Sequence, residues 1–468
     1  MQKLNDICCC EAKANSGDEF VGIRCRKQSD SETYKTEIVF PLGYFESNSI
    51  IQELPEESLR EHLINLFSVL SDADLLLNVH EYSSIVIASE NVNETALPML
   101  AYLNVIRNYF DNGYITEREV EFKKKAHGKV NWNRTIKMMR PVVTNDKENF
   151  VYLDLIARKV SYREDNLITL VHKFCVHDAL KRLGFLFGIE PTEEPILDFD
   201  YELFCSAVNA KLSKTFNDRD LHLLTDLAKI IEYLAERQTE DGINSEFYFG
   251  VNKFAPVWEA MVDKIFRRLP QGVAKDKFNP HCEWDLSSRK PGYENPNYAM
   301  RPDTIMWDGE KSRLYILDAK YYKFGMTGSA SDLPSSGSIC KQIAYAEYVE
   351  RLVLQKKLPA CEGMTANVIY NAFVLPYCFD ADNSQLPPDD GFETRPYKMR
   401  FIGYCHGNWK NLDAKPGEVD YRPYHRIAGI LLDVKSVMQN YCAFDEAQEM
   451  LAELVEKIRF SPFSLQSG

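Results

Sequence analysis

Apolar positions recur one helical turn apart over residues 254–266, where Val257, Met261 and Ile265 line up and predict an amphipathic helix. Farther along, residues 304–307 and 313–317 are short apolar or β-branched runs, separated by Asp308-Gly309-Glu310-Lys311-Ser312. An Asp-Gly pair between two such runs predicts a β-hairpin. Residues 339–354 read as a helix, 367–375 (NVIYNAFVL) as a buried strand, and 399–404 as another strand. The first half is different. Residues 1–45 are strand-rich, and helices are expected over 56–70, 97–110, 166–187 and 218–238. The polar stretch 239–243 marks the expected boundary between an N-terminal domain of residues 1–238 and a second domain of 239–468. Residues 275–300, rich in Pro, Asn, Gly and Tyr, are expected to form a long ordered loop, and the Ser/Gly-rich 325–337 a mobile one. No internal repeat is present.

The hairpin carries the chemistry. With a loop of residues 309–312, the turn centre falls between Glu310 and Lys311, and antiparallel pairing sets Asp303 opposite Asp318. Their Cβ atoms are then about 5 Å apart. Two carboxylates at that spacing repel, and a bound cation relieves the repulsion. Side-chain alternation aims Asp318 and Lys320 to one face and Ala319 into the packing. A slip of one residue turns Asp303 to the opposite face. Mg²⁺ is held by one or two carboxylates plus waters and substrate phosphate, so Asp303 and Asp318 are the expected ligands, with the Ala319 backbone carbonyl a third. Mn²⁺ is expected to substitute. Such a metal acidifies a bound water and offsets charge on a phosphate, while Lys320 orients the nucleophile or stabilises developing charge. This is equipment for phosphodiester hydrolysis. The alternative is a solvated hairpin whose Asp and Lys are surface decoration.

Arg301-Pro302-Asp303 followed by Asp318-Ala319-Lys320 resembles the PD-(D/E)xK nuclease superfamily. The resemblance implies an α/β (α+β) core, a mixed sheet flanked by helices, with an additional N-terminal domain. It also implies an acidic helix residue completing the metal site, which Glu259 matches, and a Gln/Tyr pair near substrate, which Gln342 and Tyr345 match. A narrower likeness rests on Gly128-Lys-Val-Asn-Trp-Asn-Arg-Thr-Ile136, Phe150-Val-Tyr-Leu-Asp-Leu155, the Val-Trp-Glu helix, Arg-Pro-Asp303 and Leu-Asp-Ala-Lys-Tyr-Tyr322. From about residue 120 onward the chain resembles the LlaJI-type restriction endonuclease family, relatives of the nuclease subunit McrC. That likeness implies double-stranded DNA as substrate, a cognate DNA methyltransferase, and a partner AAA+ GTPase of McrB type. The first hundred residues carry no likeness.

Charge complicates this picture. The formal net charge is −14, of which residues 1–240 contribute −11 and residues 241–468 contribute −3 by direct count of the sequence. Residues 123–140 run against the trend, with seven Lys or Arg and no acid. Lys123, Lys124, Lys125, Lys129 and Arg134, interleaved with Trp132, are the expected phosphate contacts, or else a partner interface. Local patches act over a Debye length of about 8 Å, so net acidity does not exclude DNA. It does suggest weak unaided binding.

Other features narrow the class. The twelve cysteines show no CxxC pair and no signal peptide precedes them, which reads as a reduced, cytoplasmic protein. His172, Cys175 and His177 lack a second ligand pair for zinc. No run reaches the length of a membrane span. The Gly-x-x-x-x-Gly-Lys-Ser/Thr phosphate loop is missing, so an NTP-driven motor belongs to another chain. Competing readings are a non-catalytic nuclease-fold scaffold for a GTPase and a DNA-repair or RNA-processing nuclease.

Overall fold

The computed structural model describes all residues except 1–6, 13–18, 28–33, 79–96, 125–127, 144–149, 164–165, 240–241, 244–245, 285–292, 295–299, 359–367, 381–395 and 460–468. The described residues form two compact units, one within Leu97–Ser245 and one combining Ile7–Ala96 with Glu246–Gly468. A single cut near residue 239 therefore does not describe the chain. The reason is a long-range strand pairing. Strands β1 (Cys8–Glu11), β2 (Val21–Lys27) and β3 (Tyr34–Phe40) form a sheet of order β1-β3-β2-β4, in which β4 is Phe247–Val251. Gly22 lies directly opposite Gly250, and a Cβ on either would come within 2.2 Å of a backbone oxygen on the facing strand. Only glycine fits where the two strands approach this closely.

Helix α1 (Glu56–Asn78) follows β3, and α2 (Ala255–Phe266) follows β4. Pro256 stands in the first turn of α2, where its missing N–H costs nothing. Val257, Trp258, Met261 and Ile265 of α2 are fully buried. Each contributes roughly 1.5–3 kcal/mol of burial.

The second sheet positions the chemistry. It comprises β5 (Thr304–Asp308), β6 (Arg313–Ala319), β7 (Ile369–Tyr377), β8 (Met399–His406) and β9 (Arg426–Asp433), in the order β5-β6-β7-β9-β8. The β5–β6 and β8–β9 pairs are antiparallel; β6–β7 and β7–β9 are parallel. Parallel neighbours need a crossover, which α3 (Ser336–Leu354) supplies between β6 and β7. Tyr345, Ala346, Val349 and Leu352 of α3 pack on Ile305, Leu314, Ile316 and Ile369. The opposite face meets α2 and α4 (Asp445–Glu456): Thr304 bonds to Asp263, and Tyr315 donates its hydroxyl to Glu456 at 2.5 Å. Helices on both faces explain why β7 is buried at every position, as its unbroken apolar run requires. The segment expected to be a mobile loop over 325–337 holds a short helix, Phe324–Thr327, a 3₁₀ turn and the start of α3.

The other unit contains helices Met99–Asn112, Leu167–Leu183, Tyr201–Leu212 and Asp218–Glu236. It also holds a small sheet in which Ile156–Arg163 pairs with both Glu117–Lys124 and Lys129–Val130. Among the described residues, no helix is long and apolar enough to cross a membrane.

Candidate functional site

The hairpin forms in the expected register. Thr304 pairs with Leu317 and Asp308 with Arg313, leaving residues 309–312 as the loop. Extending that register by one residue sets Asp303 opposite Asp318. The turn does not use glycine for its left-handed residue. Ser312, not Gly309, adopts positive φ (50°), and Asp308 Oδ1 accepts the Lys311 N–H at 3.0 Å. That side-chain-to-backbone bond closes the loop.

Alternation puts Asp303 and Asp318 on the same face as Ile305 and Ile316, beneath α3. Asp303 Oδ2 accepts the Ala319 N–H at 2.9 Å, which fixes its carboxylate against the end of β6. The N–H and C=O of one strand residue point to the same edge, so the Ala319 carbonyl faces the Asp303 side as well. Asp318 is 2% exposed. Its Oδ2 lies 2.6 Å from Lys320 Nζ, whereas its Oδ1 is buried with no donor.

The electrostatics report crowding of negative charge. Burial, then the Asp318 and Glu259 carboxylates, raise the Asp303 pKa well above the usual carboxylate range. Lys320 pulls it the other way. Burial alone depresses the Lys320 pKa, but Asp318 and Asp303 outweigh that and hold it above the ordinary lysine value. Glu259 projects from α2, partly exposed, within electrostatic reach of Asp303, Lys320 and Tyr345.

Does this set suit a divalent cation? Among the described residues, no three His, Cys, Asp or Glu side chains are arranged as a metal cage. Mg²⁺ does not need one, since one or two carboxylates plus water and phosphate suffice. The donorless Asp318 Oδ1 and the raised Asp303 pKa are the signs of a carboxylate pair that Lys320 neutralises only in part. The two aspartates fit the ion; Glu259 adds negative potential.

The remaining expected residues are placed less simply. Gln342 and Tyr345 are both buried on α3. Gln342 Nε2 donates to the Ile316 carbonyl at 2.7 Å, and the Tyr345 hydroxyl donates to the Arg301 carbonyl at 2.7 Å. They brace the hairpin from beneath and present no free donor to a ligand arriving from solvent. The basic residues belong to the other unit. Lys123 pairs with Glu121 and Lys124 with Asp154, each at 2.6 Å. Lys129 and Arg134 are exposed, with the Arg134 guanidinium 4.0 Å from the centre of the Phe122 ring. Trp132 is 56% exposed beside them. Lys125 lies outside the described residues. His172, Cys175 and His177 do not converge: His172 Nδ1 accepts the Ile115 N–H, His177 Nδ1 meets the Thr192 carbonyl, and Cys175 is buried.

Sequence reasoning missed Lys275 and Asp263. Lys275 Nζ donates to the Asp303 carbonyl at 2.5 Å and to Asp263 Oδ1 at 3.1 Å. The available signal was an aspartate inside the apolar run of α2.

Comparisons with known proteins supply a family. Residues 34–386 match the family model described as LlaJI restriction endonuclease. The match covers more than half of the chain and reaches into the first hundred residues, where the sequence reading found no likeness. The chain is similar to the type II restriction enzyme BsuMI component YdjA of Bacillus subtilis (strain 168), with 26% identity over 275 residues, covering 56% of this chain and 55% of that protein. It thus spans about half the length of this curated relative. A structure of Thermococcus gammatolerans McrB AAA+ hexamers with bound McrC aligns over 93% of this chain and 83% of that chain, at 14% identity and a TM-score of 0.33. Similarity at that level carries no argument about fold or function.

Proposed function

The chain belongs to the LlaJI restriction endonuclease family, and from that premise we propose that it is a Mg²⁺-dependent endodeoxyribonuclease, the cleavage component of a restriction system. The observation that carries this reading is the hairpin register, which brings Asp303 and Asp318 together with Lys320 beside them. Asp303 and Asp318 hold the ion, and Mn²⁺ substitutes for it. When bound, the ion supplies Lewis-acid chemistry, acidifying water and neutralising charge on phosphate.

The protein groups do the rest. The Ala319 N–H orients the Asp303 carboxylate, and the Ala319 carbonyl borders the same space. Lys320 stays protonated beside Asp318, positioned to stabilise the negative charge that grows on the phosphate as the P–O bond breaks. Glu259 adds negative potential that favours the cation. Gln342 and Tyr345 support substrate indirectly by bracing the hairpin. Lys129, Arg134 and Trp132, together with Lys123 and Lys124, offer a surface for duplex DNA. The name of the curated relative, a restriction enzyme component, favours action with further chains. An AAA+ GTPase of McrB type and a DNA methyltransferase are the partners this reading entails.

Plasmid cleavage tests it. The purified chain should nick or cut with Mg²⁺ and not with EDTA. Asp318→Ala and Lys320→Ala should each lower the rate at least ~100-fold, as loss of one charge-stabilising group typically does. Cleavage appearing only after addition of a separate GTPase would assign the subunit role. Full activity in both variants would remove the site.

A further inference from the structure

The Arg301-Pro302-Asp303 turn is gripped from outside the hairpin. Tyr345 on α3 takes the Arg301 carbonyl, and Lys275 takes the Asp303 carbonyl. The next residue, Thr304, donates its hydroxyl to Asp263 Oδ1 at 3.1 Å, the same oxygen that Lys275 Nζ meets at 3.1 Å. Asp263 is 1% exposed, and Arg267 stands 3.3 Å from its other oxygen. Lys275 begins the 3₁₀ turn Lys275–Phe278, whose Phe278 is locked in the core beneath α3. Both ends of the Asp263–Lys275 pair are therefore fixed by packing. A carboxylate this deep is kept only with a cation beside it.

We infer that the Asp263–Lys275 pair is a positioning device for the metal-binding carboxylate. It fixes the main chain of Asp303 from behind, so that the carboxylate stays on the Ala319 N–H and facing Asp318. Pro302 assists, because its ring locks φ one residue earlier. The inference rests on the proposed metal site, and both residues are positioning residues rather than catalytic ones.

Calorimetric titration of the full chain with Mn²⁺ tests the inference without requiring turnover. Lys275→Met should weaken Mn²⁺ binding about tenfold or more, the usual penalty for losing a group that orients a ligand. Lys275→Arg, which keeps charge and donors, should recover most of it. Lys275→Met alone leaves the buried Asp263 carboxylate with Arg267 as its cation and one donor fewer, so the decisive variant is Asp263→Asn combined with Lys275→Met. That double variant should melt within a few degrees of the unaltered chain and still bind Mn²⁺ about tenfold more weakly. A double variant with both melting temperature and Mn²⁺ affinity unaltered overturns the inference. Because the readout is metal binding, a chain that binds Mn²⁺ yet cuts no DNA counts against the cleavage reading alone. An unaltered chain that binds no Mn²⁺ overturns both.

Discussion

Replacing Asp303 by asparagine should stabilise the metal-free protein while destroying its response to magnesium. Asparagine keeps an oxygen for the Ala319 N–H, removes the charge and turns the second oxygen into an NH2 donor. Directly opposed residues have Cβ atoms about 5 Å apart, and two unit charges at about that separation repel by about 3 kcal/mol at an effective dielectric constant of 20. Lys320, 2.6 Å from Asp318, offsets part of this. A net gain of about 1–2 kcal/mol remains, worth roughly 1.5–3 °C in melting temperature for a unit of this size. The sign follows from the raised pKa of Asp303. Below the unfolded-state pKa neither state is penalised; as pH rises past it the unfolded chain ionises first, so the metal-free protein loses stability up to the folded-state pKa. The Asp303→Asn substitution would remove that loss. In the unaltered chain, Mg²⁺ at a hundredfold excess over its dissociation constant should add about 2.7 kcal/mol, and more at pH 8 than at pH 6. Differential scanning calorimetry of both proteins, with and without Mg²⁺ at those two pH values, reads all of this. An Asp303→Asn protein that melts lower than its parent, yet still rises with Mg²⁺, would refute the carboxylate-pair reasoning.

Two further outcomes are expected. Burial pushes the pKa of His172 down to about 4, and its Nδ1 accepts the Ile115 N–H. As pH falls from about 6.5, the unfolded chain takes the proton first, and stability should drop by about 1.4 kcal/mol per pH unit, to roughly 3 kcal/mol at pH 4. His172→Asn, which preserves the acceptor, should flatten that slope in chemical denaturation; an identical slope in both proteins would count against it. For DNA, the Lys129→Ala/Arg134→Ala double variant should reduce the slope of log affinity against log salt by about 2. Lys123→Ala/Lys124→Ala should change it less, since those charges already have acidic partners. Equal slopes for all three proteins would remove the surface from DNA binding.

What could be read from the letters was local. The two apolar runs and the turn between them were enough to give the β5–β6 register, because in a hairpin the loop length determines who faces whom. Helix α2 announced itself through Val257, Met261 and Ile265, and β7 through an unbroken apolar stretch between polar segments. Distant pairing left no comparable trace. Val21–Lys27 looks like a strand in isolation, but nothing in it names Phe247–Val251 as a neighbour. One unit does end at Ser245, close to the boundary expected near residue 239, but residues 7–96 join the second unit for that reason. The backbone partners of Gln342 and Tyr345 were hidden because a polar side chain on a helix looks the same whether it meets solvent or a buried carbonyl. Lys275 was hidden in a segment read as loop, and its partner Asp263 lies too far along the chain for a spacing rule.

The pairing of β2 with β4 also bears on how the molecule is made. β3 reaches β2 within a few residues of synthesis, but β4 leaves the ribosome more than two hundred residues later. At about 5–20 residues per second, one side of β2 waits on the order of 10–40 s for its neighbour. During that interval the strand carries unused main-chain donors and acceptors, a template for adhesion to other nascent chains. A lower growth temperature or added chaperone should therefore raise soluble yield more than any change near the aspartates.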